Sequence, residues 1–244
     1  MSITGDTFIS AIATEFPATV KVFQRRGIDF CCGGNRPLRA ATEEGAGDLD
    51  GLIAELETAL RAEPAPATDW RTAPLSALVR HIRDTYHQPQ PAELERIEAL
   101  MAKVLRVHRD RWGDMLVPLS ESVATMAHEL IWHTQDEEER LFPAILALEL
   151  NEPATLRGGG LDRFLERLEH DHASVGALLA DIEKRTDGFT PPRDGCATFR
   201  ALFEELRAFD LRLKEHVHLE NHILFPRAAA LGRRIADGNS VCQL

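Results

Sequence analysis

The sequence is short of positive charge, of cysteine and of long apolar runs, and each shortage closes off a class of function. Lys and Arg total 28 against 39 Asp and Glu, a formal net charge of −11. That balance excludes the basic groove on which nucleic-acid binding depends. No stretch reaches the roughly 18 uninterrupted apolar residues of a membrane span, so no membrane partner is expected. The opening residues, MSITGDTFISAIATEF, lack the basic start and apolar run of an export signal, and a cytoplasmic protein is expected. Of the four cysteines, Cys31 and Cys32 are adjacent, a poor geometry for bridging each other, while Cys196 and Cys242 are isolated. They read as reduced thiols rather than a disulfide framework. Strand signals are also nearly absent, which leaves an all-α chain.

What is present is enough for a substantial core: 44% of the 244 residues are hydrophobic and 27% charged. Two prolines among small residues at 62–73 mark a semi-extended linker. The expected organisation is a small helical domain over 1–62, a linker over 63–73, a helical bundle over 74–232 and a C-terminal tail over 233–244. In the first part, helices are expected near 5–14, 17–26, 37–44 and 48–61. Beyond the linker the pattern predicts helices near 74–88 continuing to 92–110, then 118–149, 161–187 and 194–230. Pro74, Pro118 and Asp194 stand at expected starts, and Gly158-Gly159-Gly160 and Gly188 at expected ends. Four such helices with short connections make an up-down four-helix bundle.

Three of the bundle helices carry an apolar seam that a histidine or a glutamate interrupts. One runs Leu119, Val123, Met126, Leu130, His133, Glu137. The next runs Leu161, Leu165, Leu168, His172, Val175, Leu179, Ile182. The last runs Leu202, Leu206, Phe209, Leu213, His216, Glu220, Ile223. Steps of three and four place each series on one core-facing stripe. A glutamate buried there without a partner costs several kcal/mol, and a bound metal removes that cost.

The two His/Glu pairs also repeat. His133-Thr-Gln-Asp-Glu137 and His216-Val-His-Leu-Glu220 both read H-x-x-x-E, and both continue to Leu-Phe-Pro at the same offset, Leu141-Phe142-Pro143 and Leu224-Phe225-Pro226. The i, i+4 spacing lets each pair grip one centre. His87 and His172 each fall in the helix before an H-x-x-x-E helix. Two half-sites of this kind supply four His and two Glu: His87, His133, Glu137, His172, His216 and Glu220. Imidazole with carboxylate and no thiolate suits a pair of iron ions, with manganese and zinc as competitors. In the first bundle helix, Tyr86 lies as close to the seam as His87, His81 competes as ligand, and Pro89 and Pro91 predict a kink just beyond.

Other histidines have plainer readings. His218 and His222 share a face with Lys214, Glu215 and Arg207 and are expected at the surface, as are His170 and His108. His128 and His133 are one residue too far apart for a zinc-protease H-E-x-x-H, and the acidic run 136–139 reads as a solvated face apart from Glu137. Cys31-Cys32-Gly33-Gly34 either packs a tight turn or presents a reactive or metal-contacting thiol pair. Arg25, Arg26 and Arg36 nearby are expected to lower the thiol pKa.

With these residues assembled, the chain resembles the iron–sulfur cluster repair di-iron proteins, also called repair of iron centres proteins. Gly-Ile-Asp29-Phe30-Cys31-Cys32-Gly33-Gly34 matches the hallmark turn of their small N-terminal domain, and the later part matches their hemerythrin-like bundle. The resemblance implies that the six residues named above hold two non-haem Fe ions, bridged by the two carboxylates and in some states by an oxo group. Cys31 and Cys32 would be redox or iron-transfer thiols. It implies repair, by iron donation, of clusters damaged under nitrosative or oxidative stress. The partners would be damaged iron–sulfur proteins, with nitric oxide or oxygen as small ligands. The alternative role is nitric oxide binding, scavenging or reduction at the same site. Apolar helix faces in the small domain make a homodimer a further expectation.

Overall fold

The computed structural model describes residues 2–62, 68–152, 156 and 160–241. Residues 63–67 of the expected linker, Gly158, Gly159 and Cys242 lie outside the described residues. Among the described residues ten α-helices follow in order: α1 (Ile9–Glu15), α2 (Val20–Arg25), α3 (Leu38–Glu43), α4 (Leu49–Ala62), α5 (Leu75–Ile82), α6 (Gln90–Asp136), α7 (Phe142–Glu149), α8 (Gly160–Arg185), α9 (Ala197–Leu219) and α10 (Phe225–Val241). Among the described residues there is no strand, only an isolated bridge between Phe8 and Pro37. The all-α expectation holds. No described helix is long and apolar enough to cross a membrane.

Contacts divide the chain into two compact units, Met1–Val79 with Lys214–Leu244, and Arg80–Leu213. This division differs from the expected one, because the segment from Lys214 groups with the N-terminal helices. In that first unit Ile9, Ile12, Val22, Phe23, Phe30, Leu38, Leu52 and Leu56 close one apolar core. Gln24 Nε2 donates to Glu215 Oε1 over 2.9 Å, and α1 packs on the turn 220–224. The apolar faces from which a homodimer was expected are largely spent here: among the described residues of 2–62, Phe8 is the one large apolar side chain left exposed. The expected tail is helical as far as Val241.

In the second unit, cross-helix pairs report the antiparallel order. Ser122 meets Asp181 and His133 meets Asp171 between α6 and α8. Arg212 meets Glu93 and Arg96 meets Glu205 between α6 and α9. As one number rises its partner falls. The break expected between 110 and 118 falls at Trp112, whose φ of −122° and ψ of 16° interrupt α6. Pro118 sits inside the helical turns beyond it.

Among the described residues three π-turns interrupt the helices, at Arg83–His87, Glu137–Leu141 and Glu220–Leu224. Each is closed by an N–H bonding five residues back: Gln88 to Arg83, Phe142 to Glu137 and Phe225 to Glu220. Each is followed two residues later by a proline, Pro89, Pro143 and Pro226. Proline cannot donate to the carbonyl four residues back and its ring crowds that carbonyl, so the turn widens just before it. At the first of them the Thr85 carbonyl, left without its helical donor, accepts instead from Arg212 Nη2 over 2.9 Å.

Candidate metal centre

Every expected ligand lies in the interior: His87, His133, Glu137, His172, His216 and Glu220 are all buried. Two of the three π-turns begin at a glutamate of the set and the third ends at His87. Local widening of the helix is common where side chains must meet a site rather than a neighbouring helix.

In the second unit four of these residues converge. His133 Nε2 lies 3.4 Å from Glu137 Oε2, and His87 Nε2 lies 3.6 Å from the same oxygen. The rings of His133 and His172 are 4.5 Å apart. Ligand atoms of His133, Glu137 and His172 fall within 4.8 Å of one another, as do those of His87 and Glu137. His87 is buried whereas Tyr86 and His81 are only partly so. The phase of a regular helix left these three in competition, and the π-turn ending at His87 turns that ring inward. Phe142 of the first Leu-Phe-Pro stacks on His87, centroids 5.3 Å apart and planes 18° apart.

Glu137 is fully buried, and neither carboxylate oxygen has a hydrogen-bond partner among the described residues. A carboxylate in that state costs several kcal/mol unless a cation neutralises it. Imidazole nitrogens facing it at under 4 Å complete a nitrogen and oxygen donor set with no sulfur. The residues therefore fit a first-row divalent cation. In the first unit His216 Nε2 and Glu220 Oε1 form a second pair at 2.9 Å, also buried.

Two carboxylates beside this set were missed. Glu138 Oε1 lies 3.1 Å from His87 Nδ1, and Asp171 Oδ2 lies 3.7 Å from His133 Nδ1. The His133 ring, with Arg167 behind it, holds the Asp171 carboxyl below its ordinary range. Within the run 136–139 Glu138 and Glu139 are exposed, as expected, and Glu138 nevertheless reaches a ligand ring. The signal in the sequence was adjacency: each carboxylate follows or precedes a seam residue. An open groove of about 590 Å³ between α6 and α8 reaches His133 and Asp171, with Trp132, His128 and His170 on its walls.

The thiol turn lies within the first unit and corrects two expectations. His218 and His222 are not on the surface. His218 is buried, its Nδ1–H donating to the Phe30 carbonyl over 3.1 Å while Thr14 Oγ1 stands 3.4 Å from Nε2. Burial pushes its pKa down to about 4, so the ring is neutral. His222 Nε2 bonds the Cys31 carbonyl over 2.7 Å. Nor do the arginines lower the Cys31 pKa. Arg25 and Arg26 are engaged by Glu55, and Arg36 by Glu44. The Cys31 thiol, bonded to Cys32 and Asp29 and buried, is pushed well up. Asp29 gathers the turn, accepting from the N–H groups of Cys31, Cys32 and Gly33 at 2.9, 3.1 and 2.8 Å. Gly34 serves close approach rather than positive φ: a Cβ there would sit 2.5 Å from the Phe30 carbonyl oxygen.

Comparison with known proteins agrees with this geometry. Residues 5–60 match a domain of unknown function (DUF542), and residues 80–228 match the hemerythrin HHE cation binding domain. The chain is 34% identical over 223 residues to the iron-sulfur cluster repair protein YtfE of Pectobacterium atrosepticum, covering 91% of this chain and 96% of that protein. It is 35% identical over 224 residues to its namesake in Yersinia pseudotuberculosis, covering 90% and 95%.

Proposed function

Because the chain belongs to the family of iron–sulfur cluster repair proteins that carry a hemerythrin HHE cation binding domain, we propose that it restores damaged iron–sulfur clusters by donating iron from a two-iron site. His87, His133, Glu137 and His172 form one part of the ligand set, and His216 with Glu220 the other. The gapless H-x-x-x-E repeat and a single family match spanning both copies support joining them. The observation that carries the reading is Glu137, a fully buried carboxylate without a hydrogen bond on either oxygen, faced by two histidine nitrogens.

Bound iron supplies the metal that a nitrosylated or oxidised cluster has lost. Glu137 and Glu220 provide negative charge against it, and the neutral imidazoles provide the remaining donors. Six side chains are few for two such ions, and sparse ligation favours release as well as approach of small molecules through the groove beside His133. The partners under this reading are damaged iron–sulfur proteins in the bacterial cytoplasm, with nitric oxide and oxygen as small ligands.

The test is rescue. A cluster enzyme inactivated by nitric oxide should regain activity with the iron-loaded protein, and not with metal-free protein or Glu137→Leu. Equal rescue by all three overturns donation from this site. The same sparse ligation also favours nitric oxide as a ligand or substrate. Nitrous oxide formed by the diferrous protein, without rescue, would establish that second role in place of the first.

A further inference from the structure

We infer that Glu138 and Asp171 are positioning residues of the metal site, each holding the outer nitrogen of one histidine so that the inner nitrogen is presented to the cation. The inference deepens the proposed two-iron reading and rests on it. It starts from the orientation of two rings. His87 and His133 come from different helical segments, yet each turns Nε2 toward one atom, Glu137 Oε2, at 3.6 and 3.4 Å. Each turns Nδ1 away from that atom and toward a carboxylate. His87 meets Glu138 Oε1 at 3.1 Å and His133 meets Asp171 Oδ2 at 3.7 Å.

A neutral imidazole has one N–H and one lone pair, and the group facing one nitrogen decides which it carries. A carboxylate can only accept, so the proton stays on Nδ1 and the lone pair on Nε2. The negative charge also makes the imidazole a stronger donor to a metal. The chain then arranges these carboxylates in a crossed way. Glu138 is the neighbour of Glu137 on one helix and reaches His87 on another. Asp171 is the neighbour of His172 on α8 and reaches His133 on α6. Each ligand is thus braced by the residue beside a ligand from a different helix, which ties the positions of the helices to the orientation of the rings.

The two braces differ. Glu138 is within hydrogen-bond distance, but its side chain is 40% exposed. Asp171 stands farther off and is itself held by Arg167, whose Nη1 is 3.3 Å away. Arg167 in turn bonds Asp136 and lies over the Phe164 ring. Glu138 therefore acts mainly by its direct bond, and Asp171 mainly by charge fixed in place.

The experiment measures ferrous iron affinity and release to a chromogenic chelator for the full chain. It compares wild type, Glu138→Gln, Glu138→Ala, Asp171→Asn and the control Glu139→Gln, whose carboxylate contacts Gln135 rather than a ligand. Loss of a brace is expected to weaken iron binding about 10- to 100-fold. Glu138→Gln, which keeps an acceptor, should lose less than Glu138→Ala, and Glu139→Gln should match wild type. Proton NMR of the diferrous protein supplies a readout that a merely structural role would not move. The solvent-exchangeable imidazole N–H signals of His87 and His133 should shift and exchange faster in the respective variants. Wild type that binds iron, with Glu138 and Asp171 variants indistinguishable from Glu139→Gln in affinity and N–H exchange, overturns the positioning roles alone. Wild type that binds no iron overturns the two-iron reading and the inference together.

Discussion

His218 donates from Nδ1 to the carbonyl oxygen of Phe30, 3.1 Å away, so the residue before the two cysteines is tied to a histidine two positions from Glu220. His222 repeats the tie one turn later on the Cys31 carbonyl. The thiol turn is held by its backbone, which leaves the cysteine side chains to their own contacts with each other and with Asp29.

Replacing His218 by Ala removes that bond and leaves the buried Phe30 carbonyl without this donor. A loss of about 1–3 kcal/mol is expected. Urea unfolding measures it, and alkylation of Cys31 should become faster in the variant as the turn loosens. Unchanged Cys31 alkylation would show that the turn does not depend on this donor.

Glu137→Leu is expected to act in opposite directions on the two forms of the protein. In the metal-free form it removes a buried carboxylate with no hydrogen bond on either oxygen and should raise stability by about 1–3 kcal/mol. It should also abolish the rise in Tm that ferrous iron gives wild type, since ligand binding to the folded state stabilises by mass action. Paired calorimetric scans with and without iron check both signs.

Two glycines separate space from backbone conformation. Gly34→Ala places a Cβ against Phe30 backbone atoms that cannot yield, and a cost of about 3 kcal/mol is expected. Gly27 has φ of +65° but open space around it, so Gly27→Ala should cost only the left-handed strain, roughly 1–2 kcal/mol. Denaturant midpoints of the two variants decide the order.

Cys196 is exposed and lies 3.3 Å from His108 Nε2, which pulls its pKa down to about 7. Below that pH the thiol is protonated and slow to react, and above it the thiolate is alkylated quickly. Iodoacetamide labelling of Cys196 should therefore rise with a midpoint near 7. His108→Gln should move that midpoint upward, toward the roughly 8.5 of an ordinary thiol. A midpoint unmoved by the substitution would remove His108 as the cause.

The all-α class, the burial of the seams and the candidate ligand residues were legible in the sequence, because a helix with one core-facing stripe repeats every three or four residues. A His or Glu on that stripe is buried whatever the neighbouring helix is, and the H-x-x-x-E repeat names the pairs. Periodicity reports only the phase of a side chain on its own helix, and it assumes regular turns. Tyr86 and His87 could not be separated that way, since the π-turn at 83–87 shifts the phase. His218 and His222, the state of the Cys31 thiol and the roles of Glu138 and Asp171 depended on other elements. Phe30 and Glu55 in the first unit, and the helices carrying His87 and His133 in the second, are remote in sequence from the groups they meet. The apolar pattern alone put His133, Glu137, His172, His216 and Glu220 in the interior. What each of them faces, and hence its charge and orientation, was decided only when distant segments packed, because electrostatics depends on distance in space and not along the chain.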